Sequence, residues 1–309
     1  MIVVFGSINA DLVARVARLP RAGETLHGDA FAVVPGGKGA NQALAARRAG
    51  AAVLLAGATG DDVFRAPALA GLAAAGVDLS RVRTVGASTG VALIHVDAEG
   101  RNAITVIAGA NALADPDVVD GAVLGERSTL VLQFEVPVPA ATALAQRARA
   151  RGTRVLLNAA PANPLPATLA TALDVLVVNE HEARVLATDT GLPDAPAAFA
   201  AAWHRRHGTA VVVTLGAAGV VAAADGRMHA VAAPEVEVVD TTGAGDAFVG
   251  TLAAALDRGL DWPGALAAAT AAGALACTAL GAQGALPAAA RIDAVAGQLE
   301  VATSPLPET

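Results

Sequence analysis

Tyrosine is absent from this chain, and aromatic residues of all kinds make up 3% of it. The interior must therefore be packed from aliphatic side chains and alanine-rich helices rather than from rings. There is one cysteine, Cys277. That excludes an internal disulfide and any cysteine-built metal cluster. Its neighbours Ala276, Thr278 and Ala279 suggest a small buried core residue. The six histidines show no metal-ligand spacing, and His204 and His207 share a stretch with arginines that reads as solvated. Positive charge is scarce as well: 21 Lys and Arg stand against 28 Asp and Glu, a formal net charge of −7, with no basic run. Nothing here supports a nucleic-acid partner or attachment to an anionic membrane. There is no Gly-x-Ser-x-Gly elbow, no internal repeat and no low-complexity linker.

Charge is missing altogether between Trp262 and Ala290. Length alone would permit a membrane span there. Alanine, glycine and threonine dominate the segment, however, and Gly281, Gln283, Gly284 and Pro287 interrupt it. A buried helix followed by a loop is expected. Met1 to Gly6 is too short for a signal-peptide core and has no basic leader. The expectation is a soluble, cytoplasmic protein, with Thr303 to Thr309 as a loose tail.

What the chain does have is 54% hydrophobic residues over 309 positions, ample for a sizeable core. Ile2 to Phe5 is a continuous apolar run, as in a buried parallel strand. Strand-like runs recur at 53–56, 129–134, 154–157, 175–178 and 210–215, with helical patterns such as 138–150 and 195–207 between them. This alternation predicts a mostly parallel sheet covered by helices on both faces. Several of the runs end in polar residues: Glu135, Asn158, Asn179 to Glu182, and Thr214. Polar groups at successive strand ends converge on one edge of such a sheet, where ligands bind. Two excursions break the alternation, at about 10–35 and 88–108. The second contains a hairpin signature around Asp97-Ala98-Glu99-Gly100. Together they suggest a small extra sheet serving as a lid on a single domain spanning 1–309.

Two glycine-rich stretches stand out. In Val238-Val239-Asp240-Thr241-Thr242-Gly243-Ala244-Gly245-Asp246-Ala247-Phe248 a β-branched run gives way to a turn and then to a helix. Such a turn presents unpaired N–H groups at the positive end of a helix, an anion site. A carboxylate beside it, Asp246, opposes a phosphate unless it has another task. Accepting a proton from an attacking hydroxyl is one such task, and helix capping is the other reading. The second stretch, Pro35-Gly36-Gly37-Lys38-Gly39-Ala40-Asn41-Gln42-Ala43, leads into an alanine-rich helix over 42–49 and again suggests free N–H groups. It is no Walker A loop, since Gly39 follows Lys38, and no dinucleotide fingerprint. Lys38 and Asn41 would face a polyhydroxylated or anionic ligand. Asn9 and Asp11, just past the first strand, read as ligand contacts or as turn residues.

These motifs resemble those of the ribokinase family of sugar kinases, of the phosphofructokinase-B type. GGKGANQA at Gly36 to Ala43 and DTTGAGDAFVGTL at Asp240 to Leu252 carry the resemblance. It extends through GSINAD, TGDD, STGVALI, GAN, NEHEA and TLG over essentially the whole chain. It implies a three-layer αβα fold with a mostly parallel central sheet and a β-sheet lid. It also implies ATP-dependent phosphorylation of a small sugar, the 5-hydroxyl of D-ribose first among them. Other sugars, nucleosides such as adenosine, and an inactive sugar sensor are the alternatives. By the same resemblance Asp246 is the catalytic base, and Gly243, Ala244 and Gly245 form the anion hole. Asn9, Asp11, Gly37, Lys38, Asn41 and Glu135 would bind sugar. Asn179, Thr214, Gly216, Gly219 and Gly245 would contact the nucleotide, and Glu182 would act on Mg2+ indirectly. Asp240, Thr242, Ala276, Ala279, Gly281 and Ala285 would hold a monovalent cation such as K+. A homodimer through the lid sheets completes the expectation.

Overall fold

The computed structural model describes residues 1–307. In chain order its strands are β1 (Ile2–Phe5), β2 (Asn9–Val16), β3 (Gly28–Gly36), β4 (Val53–Thr59), β5 (Asp78–Thr84), β6 (Gly90–Val96) and β7 (Asn102–Ile107). There follow β8 (Thr129–Leu132), β9 (Arg154–Asn158), β10 (Val175–Asn179), β11 (Ala210–Thr214), β12 (Val220–Ala224), β13 (Arg227–Val231) and β14 (Val301–Pro305). The helices are α1 (Lys38–Arg48), α2 (Arg65–Ala74), α3 (Val138–Arg149), α4 (Ala167–Ala170), α5 (Glu180–Thr190), α6 (Pro196–His207), α7 (Ala244–Asp257), α8 (Trp262–Ala276) and α9 (Ala289–Ala296).

The large sheet has ten strands in the order β14-β13-β12-β11-β10-β9-β8-β1-β4-β5. The series from β11 to β5 is parallel, and β12, β13 and β14 close one edge in antiparallel fashion. Strand residues point alternately to the two faces. Ile2, Val4, Leu55, Val131, Leu156, Val177 and Val212 pack against α1, α2, α7, α8 and α9. Val3, Phe5, Leu54, Leu130, Leu157, Leu176, Val178 and Val213 pack against α3, α4, α5 and α6. Each central strand is therefore apolar on both sides, which is why β1, β8, β9 and β10 read as continuous aliphatic runs. The scarcity of rings is met by small side chains: α7 and α1 cross so closely that a Cβ on Gly250 would lie 2.4 Å from the Gln42 carbonyl oxygen.

The small sheet has the order β3-β2-β6-β7 and is built from the two excursions. Strand β2 is antiparallel to β3 and parallel to β6, and β6 and β7 form the hairpin around Asp97–Gly100. No helix among the described residues is long and apolar enough to cross a membrane. The uncharged segment forms α8 and then turns.

Three local expectations fail. Val301–Pro305 is not a loose tail but strand β14, paired with β13 from Arg227↔Pro305 to Val231↔Val301, while residues 308–309 lie outside the described residues. Cys277 is half-buried rather than core: it follows the end of α8, its thiol donates to the Gly273 carbonyl at 3.4 Å, and burial pushes its pKa up. The alanine-rich helix begins at Lys38 instead of residue 42, with Gly37 as its cap at φ 89°.

Candidate active site

The carboxyl ends of the parallel strands meet the small sheet on one side of the molecule. Register places Val177 beside Asn158 and Asn179 beside Thr214, so polar strand-end residues stand next to one another as the sheet geometry requires. They line a cavity of about 240 Å³ together with Lys38, Glu182, Thr241, Gly243, Gly245 and Asp246. A second cleft, of about 620 Å³, lies between the small sheet and the turn before α7. Asp11, Val13, Val34, Ile94 and Ile104 line it from one side, and Val239, Asp240, Thr242 and Gly281 from the other.

At the head of α7 the two glycines do different work. Gly243 is the cap residue at φ 80°, and a Cβ there would sit 2.8 Å from the Ala282 Cα. Its conformation and its neighbour both require glycine. A Cβ on Gly245 would meet nothing within 4 Å, so that position keeps space clear on the cavity side. The Ala244 N–H is spent on the Thr241 carbonyl at 3.2 Å. The N–H groups of Gly243, Gly245 and Asp246 have no acceptor among the described residues. They are the donors of an anion hole.

Asp246 is 6% exposed and is no cap. Its Oδ2 accepts from Asn41 Nδ2 and its Oδ1 from Gln42 Nε2, both at 2.9 Å. Burial raises its pKa, opposed by the Lys38 cation and by these two amides. Lys38 in turn has its pKa raised, chiefly by Asp246, so it stays protonated among Asp246, Glu135 and Glu182.

The stretch before α1 leaves the Gly37 N–H without an acceptor among the described residues, but it spends the next three within the protein, contrary to expectation. Lys38 N–H donates to Glu135 Oε2 at 3.0 Å, Gly39 N–H to Ser7 Oγ at 3.2 Å, and Ala40 N–H to the Ser7 carbonyl at 2.9 Å. Its glycines also serve close packing: a Cβ on Gly39 would fall 2.5 Å from the Gly6 carbonyl carbon, and one on Gly37 2.8 Å from Asn9 N. Glu135 is held from two sides, since Ser7 Oγ also donates to its Oε2 at 2.5 Å. Asn9 and Asp11 lie in β2 rather than in a turn. Asn111 Nδ2 donates to Asn9 Oδ1 at 2.7 Å, leaving the Asn9 amide group for a ligand. Asp11 Oδ1 is buried without a partner. Burial, then the Glu135 and Asp246 carboxylates, push its pKa up to about 7.

On the other side of Asp246, Asn179 and Glu182 form a capping box on α5. Asn179 Oδ1 accepts from Glu182 N–H and Glu182 Oε2 from Asn179 N–H, both at 2.8 Å. Burial raises the pKa of Glu182, while the Asn179 N–H and the Lys38 cation lower it. Gly216 and Gly219 line neither cavity. Gly219 has φ 98°, and a Cβ there would lie 2.0 Å from the Val231 carbonyl, so glycine is needed for the turn into β12. Residues missed in the sequence include Ser7, Asn111, Gln133 and Gln283. Gln42, inside a motif already singled out, also has a role that was not read. A buried polar side chain at the end of an apolar run, as Gln133 is after β8, was the available signal.

The chain matches the model of the pfkB family of carbohydrate kinases over residues 1–289. It is 39% identical to a ribokinase of Schizosaccharomyces pombe over 274 residues, which is 84% of this chain and 86% of that one. The chain belongs to the pfkB family of carbohydrate kinases. Among solved structures, this pfkB carbohydrate kinase is similar to a ribokinase of Thermotoga maritima, with TM-score 0.88 and 32% identity, covering 95% of this chain and 98% of that one. It is also similar to an Arabidopsis thaliana ribokinase complexed with ribose and ATP, with TM-score 0.86 and 30% identity, covering 96% and 98%. The fold of the family, a large mostly parallel sheet between helices with a small second sheet, is the fold described above.

The kinase has residues that suit the ions expected of it. One Glu182 oxygen closes the cap and the other takes no hydrogen bond among the described residues, which leaves it open to a hydrated Mg2+. Asp240 Oδ1 accepts from the Thr242 N–H and hydroxyl, and Oδ2 from Gly281 N–H at 2.8 Å. Burial pushes the Asp240 pKa up, but these hydrogen bonds outweigh it and leave the pKa lowered. The segment before α7 is thus tied to the loop after α8. No group of three or more His, Cys, Asp or Glu among the described residues forms a metal cage of its own.

Proposed function

We propose that this protein transfers the γ-phosphoryl group of ATP to the 5-hydroxyl of D-ribose. The observation that carries the reading is Asp246. A buried carboxylate with each oxygen gripped by one amide stands beside the unpaired N–H groups of Gly243 and Gly245. A fixed carboxylate takes the proton of an attacking hydroxyl, and fixed N–H donors take the charge of the phosphoryl group as it transfers. Burial favours the proton-bound form, so a group that must end up protonated gains driving force.

The sugar would lie across Asn9, Asp11, Lys38, Asn41 and Glu135, with Gly36 and Gly37 allowing the backbone to pass close. The nucleotide would occupy the cavity edged by Asn179 and Thr214, its phosphates pointing to Gly243–Asp246. Lys38, protonated and placed among three carboxylates, balances charge between the two substrates. Mg2+, bound to the phosphates near Glu182, would supply charge neutralisation. K+ held by Asp240, Thr242 and the carbonyls around Ala276, Ala279, Gly281 and Ala285 would steady the turn that presents the anion hole.

The small sheet would act as a lid on what is otherwise one domain, closing the 620 Å³ cleft over the sugar and excluding water. Its opposite face exposes Phe31, Val33, Leu93 and Ile107, which favours a homodimer built through paired lids. As a consumer of ATP the protein would work in the cytoplasm. The deciding experiment measures ADP release and product mass with ribose, 2-deoxyribose, fructose, tagatose and adenosine in parallel. Ribose 5-phosphate as the dominant product supports the reading. Turnover confined to another acceptor, or to none, overturns it.

A further inference from the structure

Asp246 is held by two amides, and each of those amides is held by another. Gln133 Nε2 donates to Gln42 Oε1 at 2.7 Å, and Gln283 Nε2 donates to Asn41 Oδ1 at 3.1 Å. The order is Gln283 to Asn41 to Asp246 from one side, and Gln133 to Gln42 to Asp246 from the other. All five side chains are buried, and Gln42 and Gln133 are fully so. The residues come from β8's end, α1, α7 and the loop after α8, so the arrangement is not a product of local chain geometry.

A carboxamide has a donor end and an acceptor end of nearly the same shape. Rotated by half a turn, Gln42 or Asn41 would aim a carbonyl oxygen at the Asp246 carboxylate and repel it. Two things forbid that rotation at Gln42: the Gln133 donor on its oxygen, and the second contact of its own Nε2 with Asn158 Oδ1 at 3.1 Å. At Asn41 the Gln283 donor does the same. The outer glutamines gain nothing comparable for themselves. Gln133 Oε1 and Gln283 Oε1 are buried and unpartnered, the first turned toward Gly6, where a Cβ would lie 2.0 Å from it. A buried acceptor left unpaired is costly, and an aliphatic side chain of the same size would avoid the cost. Their donors are what the site uses.

We propose that Gln133 and Gln283 are positioning residues that act through Gln42 and Asn41 to lock both amide donors onto Asp246, keeping that carboxylate ionised and aimed at the acceptor hydroxyl. The inference rests on Asp246 being the base. With either lock removed, the inner amide samples its rotated form, the carboxylate loses a donor for part of the time, and its ionised form is less favoured. The acid limb of the kcat against pH profile then moves upward.

The test replaces each outer glutamine by a residue of similar length without a donor, Gln133→Met and Gln283→Met, in the full chain. Expected are a kcat about 10-fold lower at neutral pH, an acid limb shifted up by about half to one pH unit, and a KM for ATP unchanged. Gln283→Met should also raise the KM for the sugar, because Asn41 faces it, whereas Gln133→Met should not. A folded variant with the parental kcat and acid limb overturns the proposal, even if its melting temperature falls, since that is all a packing role would move. If one variant does not fold, the other decides. Asp246→Asn separates the two levels. Near-normal turnover in it removes the base itself, whereas loss of turnover in it with unmoved limbs in the glutamine variants removes only the lock.

Discussion

Asn41 and Asp246 stand 205 positions apart in the chain and meet side chain to side chain, Nδ2 to Oδ2 at 2.9 Å. The contact needs α1 and α7 to cross closely, which Gly250 and the alanines of both helices permit. It joins a residue expected to hold sugar to the group expected to take the sugar's proton. The acceptor's position and the base's orientation are thereby set by one hydrogen bond.

Replacing Asp246 by Asn should leave both substrates bound and remove the proton acceptor. Turnover should fall by roughly 10²–10⁴, with sugar and ATP affinities by calorimetry within a few-fold of the parent. Equal losses in binding and turnover would instead place Asp246 in ground-state recognition.

The two glycines of the turn should separate stability from chemistry. Gly243→Ala forces a side chain into a left-handed backbone and against Ala282, so it should cost about 1 kcal/mol or more of stability. Gly245→Ala lies in a right-handed helix with open space around it and should be neutral or stabilising by up to about 1 kcal/mol. Its methyl group nevertheless occupies the cavity wall where the phosphoryl group would sit, so kcat should fall. Thermal melts and kinetics on the pair check both halves. Loss of stability in Gly245→Ala would contradict the assignment.

The glycine turn with its carboxylate, the alternating strands and helices, and the hairpin of the small sheet were all legible, because each leaves a local mark of spacing or composition. The hairpin of β12 and β13 was not expected, although Asp225 and Gly226, at φ 49° and 69°, form the two-residue turn that an Asp-Gly pair favours. Strand β14 left no such mark. Val301-Ala-Thr-Ser-Pro305 is a mostly exposed edge with a terminal proline, and only its pairing to β13 makes it a strand. Gln42 and Gln283 left none for another reason, and Gln133 left only its place at the end of the apolar run of β8. A buried amide finds its partner through the packing of distant elements, and no periodicity records that. The expectation of free donors before α1 fails at Lys38, Gly39 and Ala40 because glycines before a helix look alike whether they admit a ligand or, as with Gly39 against Gly6, another stretch of backbone.

Glu182→Gln should distinguish the cap from the ion. Glutamine at that place still reaches back to the Asn179 N–H, so the box on α5 survives and stability should change by less than about 0.5 kcal/mol. The negative charge facing the phosphates is lost, so the Mg2+ concentration for half-maximal activity should rise several-fold. A melting temperature that drops while the Mg2+ dependence stays unchanged would reduce Glu182 to its structural part.

Asp11 gives the protein a stability that depends on pH in a definite direction. Its carboxyl is pushed up to about 7 from the usual 3.8 by burial and by the Glu135 and Asp246 charges. In the unfolded chain the group loses its proton near pH 4, and in the folded one only near pH 7. The folded state therefore binds the extra proton between those values. Its contribution is fully present below about pH 4 and is lost as the pH rises through 7. Asp11→Asn removes the titration. Without sugar, the variant should melt above the parent at pH 8 by an amount equivalent to about 1–3 kcal/mol, after allowing for solvent reaching this half-buried group, and the difference should shrink toward pH 4. The same substitution should weaken sugar binding, because the site loses a charged acceptor for a hydroxyl. Melting curves across pH 4 to 8 on both proteins measure the first effect and calorimetry with ribose the second. A parent that melts above the variant at pH 8 would mean that Asp11 is ionised at little cost, its charge met by Lys38 rather than opposed by the carboxylates around it.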